Sequence, residues 1–391
     1  MKQTLGNILT EINKKTSNNN EFPVLTASRD GISLQSDYFN KQVASKDNTG
    51  YKIIKKGQFT YRAMSDTGKF YPNRLDCIDV GIVSPAYPVF MISRSDIVDS
   101  DYLKLYFKSE QFQHSIAAFA QGSTRTSVKF EKIKTVEIDL PSMDKQKEIA
   151  SIISQLDALS SKCKAKMDLF DELVKARFVE MFGDLASSDC KWNAIKLVDA
   201  CANPDDIKCG PFGTQLSKDE YTDSGVAVWE IPQINSAFKT APTHFLTAEK
   251  ANQLSAYSLI PGDIAMSRKG NVGKCAIFPH GYDGGIIHSD VLRIRVEQEN
   301  VNPVFMMCQL HFSGAVTRQI ELVSSGAIMA GVNVTKLKQI FVHIPPKDLQ
   351  DQFANSVKQI DKSKFEVQKK IDLYTELLNK KMDEYFNSEA N

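Results

Sequence analysis

Two long stretches of the chain carry hydrophobic residues at helical spacing. After Pro141, and again after Pro345, apolar side chains recur every three or four positions over about forty residues. No Gly or Pro occurs between Asp144 and Phe182 or between Lys347 and Phe386. Apolar repeats of seven residues are typical of helices that pack on each other. We therefore predict two long antiparallel helices that pair along one seam, against the alternative of two helices that each lie along their own domain. The seam residues are Leu156, Cys163 and Phe170 in the first helix and Ile360, Val367 and Tyr374 in the second.

Short apolar runs, broken by turn residues, precede each of these helices and predict β-strands. Helices are expected near residues 100–119 and 302–322. Strands that alternate with helices predict an α+β or mixed α/β fold. The predicted strand runs are Phe22–Thr26, Tyr51–Tyr61, Gly81–Phe90 and Val136–Leu140, followed by Val226–Glu230, Leu259–Met266, Ile286–Ile294 and Ile340–Ile344.

The second half of the chain repeats the first. When the sequence is shifted by 204 residues, Gly122–Phe182 aligns without a gap on Gly326–Phe386, and 17 of the 61 positions are identical. A period this long is outside the range of solenoid repeats. It indicates that one unit, ending in a long helix, is present twice with approximate two-fold symmetry. A duplicated unit suits a target that is itself divided into two halves.

Composition changes this picture little. The 391 residues are 42% hydrophobic and 24% charged, and 48 basic residues balance 47 acidic ones to a formal net charge of +1. A local basic face is still compatible with that total. The seven cysteines include no Cys-x-x-Cys pair, which favours free thiols and no metal site. The absence of a signal-peptide pattern and of a long apolar run predicts a cytoplasmic protein that does not enter a membrane.

Catalytic signatures are missing from the sequence. Gly270–Lys274 resembles a phosphate-binding loop but lacks its spacing and the Ser or Thr after the lysine. No Asn/Asp-Pro-Pro-aromatic motif of adenine methyltransferases is present, and the six histidines are isolated. We therefore expect no catalytic residues and no cofactor in this chain, with an enzyme of diverged motifs as an alternative.

Polar and basic loops remain as candidates for binding. Arg, Lys, Ser, Asn and Gln on short loops are the donors that proteins use on phosphates and base edges. A single loop of this kind is usually a solvent-exposed turn. Because such loops occur in both copies, a binding role is favoured for the set. The candidate DNA-binding residues are Ser28, Arg29, Arg62, Arg125, Thr126, Ser127 and Lys129 in the first copy, and Gln215, Arg268, Lys269, Asn271, Lys274, His288, Ser289, Ser324 and Ser325 in the second.

Taken together, these features resemble the specificity subunits of type I restriction–modification systems. Each copy closes in a strand and a proline followed by a glutamine-bearing helix, as in Val136–Pro141 with Gln146 and Ile340–Pro345 with Gln350. The second copy also carries Ile207–Gly213 and a Gly262–Lys274 stretch that are familiar from the family. The family's usual Glu-Gln at the helix start is replaced by Lys-Gln and Leu-Gln, and the first copy lacks a Gly-Pro-Phe-Gly stretch.

The resemblance implies a DNA reader that has no catalytic activity of its own. Two target-recognition domains, residues 1–141 (the first block) and 184–345 (the second block), would each read half of a bipartite site in double-stranded DNA. Spacer helices at 142–183 and 346–391 would set their distance and dock methyltransferase subunits, two in number, through which restriction subunits join. S-adenosylmethionine, ATP and Mg²⁺ would bind on those partners. A protein scaffold that does not bind DNA is the remaining alternative.

Overall fold

A computed structural model describes residues 1–38, 47–120, 126–185, 187, 190–270, 272–324 and 331–386. The chain divides into two compact units. The first unit comprises the described residues of Met1–Lys164 and Lys369–Asn391, and the second comprises those of Ala165–Gln368. Each of the two long helices contributes one portion to each unit.

The first unit contains twelve described strands and six helices, of which the last helix continues into the second unit. The strands are β1 (Lys2–Thr4), β2 (Leu9–Glu11), β3 (Leu25–Ala27), β4 (Ile32–Leu34), β5 (Lys52–Lys55), β6 (Phe59–Thr60), β7 (Met64–Ser65), β8 (Asn73–Arg74), β9 (Val80–Val83), β10 (Val89–Ile92), β11 (Thr126–Ser127) and β12 (Glu137–Asp139). The helices are α1 (Leu5–Ile8), α2 (Gln35–Tyr38), α3 (Ser100–Tyr106), α4 (Glu110–Ala117), α5 (Phe130–Ile133) and α6 (Met143–Phe182).

A four-stranded antiparallel sheet, in the order β2-β10-β6-β8, is the largest sheet described in the first unit. The pairs β1–β12, β3–β4, β5–β9 and β7–β11 accompany it. Aromatic side chains fill the core against this sheet. The ring of Phe90 stacks on Phe59 at 5.6 Å and on Phe130 at 4.7 Å between centroids, and all three side chains are buried. Burial of rings this large supplies much of the hydrophobic stabilisation of the unit.

The second unit holds ten described strands and six further helices, of which the last continues into the first unit. The strands are β13 (Asn193–Lys196), β14 (Ile207–Cys209), β15 (Val226–Trp229), β16 (His244–Leu246), β17 (Ser258–Leu259), β18 (Ile264–Ser267), β19 (Cys275–Ile277), β20 (Gly285–Ile287), β21 (Val291–Ile294) and β22 (Phe341–Ile344). The helices are α7 (Ile231–Asn235), α8 (Ala248–Gln253), α9 (Pro303–Phe312), α10 (Gly314–Ser324), α11 (Val334–Leu337) and α12 (Lys347–Phe386).

Two four-stranded sheets, β14-β21-β18-β19 and β16-β15-β20-β17, organise the second unit. Their pairings are antiparallel except for β15 with β20, which run parallel. Trp229 is fully buried, and its ring lies 5.3 Å from Phe238 and 5.2 Å from Phe278 between centroids. The mixture of strands and helices confirms the predicted α+β class.

The two blocks close in the same way. In the first, β1 pairs antiparallel with β12, the last strand before α6, with Lys2 opposite Asp139. In the second, β13 pairs antiparallel with β22, the last strand before α12, with Asn193 opposite Ile344. Each block thus brings its beginning and its end together beside the proline that precedes a long helix.

The long helices α6 and α12 pack on each other as the coiled-coil pair that the sequence predicts. In the second unit, Val174 and Phe178 of α6 share a buried cluster with Phe353 and Val357 of α12. In the first unit, Leu378, Met382 and Phe386 near the end of α12 join the core that contains Ile149 and Ile153 of α6. The start of one helix therefore lies beside the end of the other, which makes the pair antiparallel.

The predicted seam residues are all buried or half-buried. Val367 is buried, and Leu156, Cys163, Phe170, Ile360 and Tyr374 are half-buried. Ile360 packs against the cluster of Phe178 and Phe353. Helix α6 ends at a glycine: Gly183 has a φ of +76°, and its N–H bonds to the carbonyl of Val179 at 2.8 Å.

Two predicted helices are each divided in the structure. The 100–119 segment breaks into α3 and α4 because Ser109 leaves the helical conformation and its hydroxyl accepts the N–H of Phe112. The 302–322 segment breaks at Ser313, which is extended and is followed by Gly314 at the start of α10. At Ser109 the serine side chain replaces a backbone partner, which is why serine favours caps.

Candidate nucleic-acid interface

Arg268 is the best-fixed of the predicted DNA-binding residues. It follows β18, and its backbone N–H donates to the carbonyl of Asp290 at 2.9 Å. Its side-chain Nε donates to the carbonyl of Val332 at 3.1 Å. The guanidinium carbon lies 4.8 Å from the centroid of the Phe212 ring, in a cation–π contact. A half-buried arginine held in this way presents a planar set of N–H donors. Its side chain would lose little conformational entropy when it binds a ligand.

The turn at His288–Asp290 is bound to the same region. Lys269 places its ammonium 2.7 Å from a carboxylate oxygen of Asp290. The N–H of Asp290 donates to Nδ1 of His288 at 3.2 Å, and the N–H of His288 donates to the carbonyl of Trp229. Ser289 lies half-buried in the turn between them. The predicted loops at 267–274 and 288–290 therefore lie together.

A third predicted loop, residues 210–215, joins them through a glycine. A Cβ on Gly210 would lie 2.3 Å from the carbonyl oxygens of both Ile287 and His288. This distance is too short for a non-bonded contact, so no residue with a side chain fits here. The N–H of Gly210 donates to Val291 at 3.1 Å. Because this close approach requires glycine, the loop that carries Phe212 can reach Arg268.

Gln215 is oriented by its own loop. Its side-chain oxygen accepts the N–H of Phe212 at 3.2 Å and the hydroxyl of Tyr257 at 3.1 Å. The ammonium of Lys208 lies 5.6 Å from the centroid of the same tyrosine ring. Phe212 and Asp290 lie in predicted loops but are not among the candidate residues, and Tyr257 lies in none of those loops. Phe212 could have been found from the Gly-Pro-Phe-Gly stretch, but Tyr257 carries no comparable signal.

The other predicted residues of the second block have varied surroundings. Lys274 is exposed, and its carbonyl accepts the N–H of Ser267 at 2.7 Å, which closes the loop between β18 and β19. Ser324 is buried at the end of α10, where its hydroxyl donates to the carbonyl of Ile320 at 2.5 Å. Asn271 and Ser325 lie outside the described residues.

Lys274 also lies near a half-buried histidine, His311. Burial, and secondarily the ammonium of Lys274, lower the pKa of His311. Its Nε2 accepts the backbone N–H of Cys275 at 3.0 Å, a bond that requires an unprotonated nitrogen. The start of β19 is therefore attached to α9 by a neutral imidazole.

The first block places its predicted residues in two groups. In one group, β11 pairs with β7, with Thr126 opposite Ser65 and Ser127 opposite Met64. The hydroxyl of Thr126 donates to the carbonyl of Ser65 at 3.1 Å. Ser127 and Lys129 line a shallow cavity of about 250 Å³ with Met64.

Arg62 is close to this group in sequence and is exposed. Its guanidinium is 4.0 Å from the carboxylate of Asp66, a distance at which a solvated ion pair contributes little. Arg125 lies outside the described residues. The group that the structure describes therefore offers Arg62, Thr126, Ser127 and Lys129.

The second group is the turn between β3 and β4. Ser28 bonds through its hydroxyl to the carbonyl of Gly31 at 3.3 Å, and its own carbonyl accepts the side-chain N–H of Asn73 at 2.8 Å. Arg29 is exposed and borders a cleft of about 1150 Å³ within the first unit. Lys108 also lines this cleft, and burial lowers the pKa of its ammonium. Among the described candidates of the first block, Arg29 alone lines it.

Two features bear on other kinds of site. Across the ranges that the structure describes, no three His, Cys, Asp or Glu side chains come together in a way that could hold a metal ion. In the same ranges, no helix combines the length and the apolar character needed to cross a bilayer. All seven cysteines are free thiols.

Solved structures from type I restriction–modification systems have the same fold as this chain. The type I restriction–modification S subunit of M. genitalium aligns over 100% of this chain and 96% of its own length, with a TM-score of 0.59 and 15% identity. A structure described as the basis of complex assembly and conformational transition of the type I R-M system aligns over 99% and 97%, with a TM-score of 0.52 and 15% identity.

Comparison of sequences gives the family. A putative type I restriction enzyme MjaX specificity subunit of Methanocaldococcus jannaschii is 22% identical over 272 residues, which are 66% of this chain and 60% of that protein. The chain spans 21% and 60% of the length of the curated relatives it matches first. The family described as "Type I restriction modification DNA specificity domain" matches residues 5–167 and 209–374. Because these two matches cover most of the chain, the protein belongs to the type I restriction modification DNA specificity domain family.

Proposed function

We propose that this chain is the specificity subunit of a type I restriction–modification complex and reads a bipartite sequence in double-stranded DNA, one half per block. The observation that carries the proposal is the surface of the second block, where the loops at 210–215, 267–274 and 288–290 meet around Arg268. The DNA specificity domain matches this chain twice, once in each block. The match in the first block supports the same function there.

The chemistry of the second-block surface suits DNA. The Nε bond to Val332 uses one of the five N–H donors of the Arg268 guanidinium, and the planar fork matches the O6 and N7 acceptors of guanine. Lys269 and Lys274 are placed for phosphates, which tolerate a flexible point charge. His288, Ser289, Gln215 and the predicted Asn271 and Ser325 complete the proposed contacts of this half. The predicted Ser324 is not among them, because its side chain is buried and bonded to Ile320.

The first block would read its half-site with two groups of residues. Arg62, Thr126, Ser127 and Lys129, with the predicted Arg125, form one group on the β7–β11 pair, and Ser28 and Arg29 form the other on a hairpin turn. Hydroxyls that already donate to backbone carbonyls, as in Thr126, keep lone pairs that can accept from DNA bases or water.

Partner subunits would supply the chemistry. We propose that this chain is non-catalytic and binds no cofactor, with S-adenosylmethionine, ATP and Mg²⁺ held by methyltransferase and restriction subunits. Two methyltransferase subunits would dock on the long helices, and restriction subunits would join through them. Three leucines support such docking because they are half exposed or more: Leu169 and Leu173 on α6, and Leu373 on α12, at 62%, 50% and 50%. Exposed apolar side chains are typical of contact surfaces.

The proposal fixes the roles of the segments. Residues 1–141 and 184–345 would be the two recognition domains, and residues 142–183 and 346–391 the spacer helices. The half-sites would have opposed orientation because the helices are antiparallel. A cytoplasmic location fits a protein that reads genomic DNA.

Selection of duplexes from a random library tests this function. The full chain, co-expressed with the methyltransferase subunit of its own system, should retain duplexes with two short sequences separated by an unspecified gap. Exchange of residues 1–141 for those of another family member should change one of the two sequences. A continuous target, the absence of any sequence preference, or methyl transfer by the purified chain alone would contradict the proposal.

A further inference from the structure

A single glutamine fastens the start of each long helix to its block. Gln146, in the first turns of α6, has no exposed surface. Its side-chain oxygen accepts the N–H of Asp99 at 2.8 Å, and its side-chain nitrogen donates to the carbonyls of Ile97 at 2.9 Å and Pro141 at 3.0 Å. One buried amide thus joins the helix, the strand–helix junction and the segment that leads into α3.

The second copy repeats this arrangement. Gln350, 204 residues later, is equally buried. Its oxygen accepts the N–H of Asn302 at 2.8 Å, and its nitrogen donates to the carbonyls of Asn300 at 3.2 Å and Pro345 at 2.8 Å. Asp99 and Asn302 are themselves the N-caps of α3 and α9. We name Gln146 and Gln350, with these backbone partners, the glutamine clasps.

The clasps are suited to fix the angle between each block and the start of its long helix. All six partners are backbone groups, which cannot turn away as a side chain can, and the amide uses both its acceptor and its donors. The site excludes water, so a lost bond would leave a buried polar group without a partner. Small rotations of the block about the start of its helix are therefore opposed in several directions at once.

We propose that the glutamine clasps are positioning residues that set the orientation of each block on its helix and so fix the separation of the two half-sites in DNA. This inference rests on the proposed function. It adds that the spacing is determined at two joints, besides the length of the helices. One base pair more or less between the half-sites rotates one of them by about 35° and moves it by about 3.4 Å, which a rigid joint cannot follow.

Two other buried glutamines provide matched controls inside the blocks. Gln113 accepts the N–H of Phe70 at 3.0 Å and donates to the carbonyls of Phe70 at 2.8 Å and Phe107 at 3.2 Å. Gln309 accepts the N–H of His343 at 2.6 Å and donates to its carbonyl at 2.8 Å. Their bonds join elements of a block to each other, so their loss should cost stability without freeing a joint.

The experiment compares Q146M and Q350M with Q113M and Q309M. Each variant of the full chain, co-expressed with its methyltransferase, is used to select duplexes from a library in which both half-sequences and their separation vary. Wild-type protein and the two controls should bind targets altered by one base pair in spacing at least about tenfold more weakly, a loss comparable to that of one mismatch. In Q146M and Q350M that loss should fall below about threefold, with both half-sequences retained.

The outcomes separate the inference from the proposed function. If wild-type protein selects no bipartite target, the proposed function fails and the inference fails with it. If the wild type selects one spacing and the clasp variants keep it as strictly, or if the controls relax it equally, the function stands and the inference is overturned. Q146E, which keeps the acceptor for Asp99 and removes the donor, serves the same comparison should Q146M unfold, and it too should relax the spacing.

Discussion

The two blocks share one plan of closure yet present their candidate loops differently. In the second block, three loops meet and fix Arg268 between Phe212 and Val332. In the first block, the candidates form two groups, one on the β7–β11 pair and one at the turn that carries Arg29. The difference teaches that duplication preserved the framework, namely the closing strand pair, the proline and the glutamine clasp, while the loops that would read DNA diverged.

Gly210 gives the strongest test of this contrast. G210A would force a methyl group to within 2.3 Å of two backbone carbonyls, so the loop must leave its place. Overpacking of this kind costs about 3 kcal/mol at the upper end of its usual range. We expect a loss of that size in chemical unfolding, together with loss of preference for the second half-site.

Gly281 is the matched control for that experiment. A Cβ there would meet no atom within 4 Å, so G281A should be neutral in both measurements. The first-block half-sequence should be unaffected by G210A. If G210A retains both half-sequences and wild-type stability, the close approach of the loop is not what organises the second block.

Replacement of Arg268 tests which side chain reads the second half. R268A should weaken binding of the cognate duplex by about 1–3 kcal/mol and relax one position of the second half-sequence. R268K should not restore it, because a lysine neither stacks as a plane nor donates as a fork. Titration of duplexes with single substitutions measures both effects.

The variants R62A and R29A test the two groups of candidate residues in the first block, one variant for each group. Each should alter recognition of the first half-sequence and leave the second unchanged. Should one of them have no effect on any duplex, the group to which it belongs does not contact DNA. Unchanged binding of R268A to every duplex would remove Arg268 from the site.

A pH effect of smaller size should distinguish the blocks. His311 of the second block has a lowered pKa in the folded state, so the unfolded state binds more protons as pH falls below about 6.5. Stability contributed by its neutral form is present above that pH and is lost as the pH falls toward the folded pKa, by at most about 1.4 kcal/mol per pH unit. Relative to the intrinsic exchange rate of the amides, which itself slows as the pH falls, hydrogen exchange of second-block peptides should accelerate between pH 7 and 5.

The variant H311Q provides the control, since its amide oxygen can still accept the N–H of Cys275. It should make the acceleration shallower, although His343, whose pKa burial also lowers, contributes in the same direction. Peptides of the first block, where the single histidine, His114, is exposed, should respond less. Equal acceleration in both blocks would argue against His311 as the cause.

Much of the fold could be predicted because it depends on periodic patterns. Apolar residues seven apart, such as Leu156 and Cys163, indicate a helix that must bury one face, and α6 and α12 form that pair. The breaks at Ser109 and Ser313 could not be predicted in this way. At Ser109 a local bond to the serine hydroxyl competes with helix continuation, and at both positions the balance depends on what packs nearby.

The candidate site was less predictable for a similar reason. Residue types that bind DNA could be chosen from the loops, and Arg268, Lys269 and His288 do lie together. That Phe212 supports the arginine, and that Tyr257 holds Gln215, depends on contacts between loops far apart in sequence. The sequence repeat reveals the two glutamines of the clasps. Their role could be recognised only from the structure, which places Asp99 and Asn302 beside them.

The closing strand pair of the second block determines how that block would respond to tension. The connection from α6 enters at Asn193 and the connection to α12 leaves at Ile344, and these two residues lie opposite each other in the β13–β22 ribbon. A pull that separates the two connections would open this ribbon from one end, one residue pair after another. The ribbon would therefore be the first part of the block to unfold under tension. The loops around Arg268 would carry no load until the ribbon had opened.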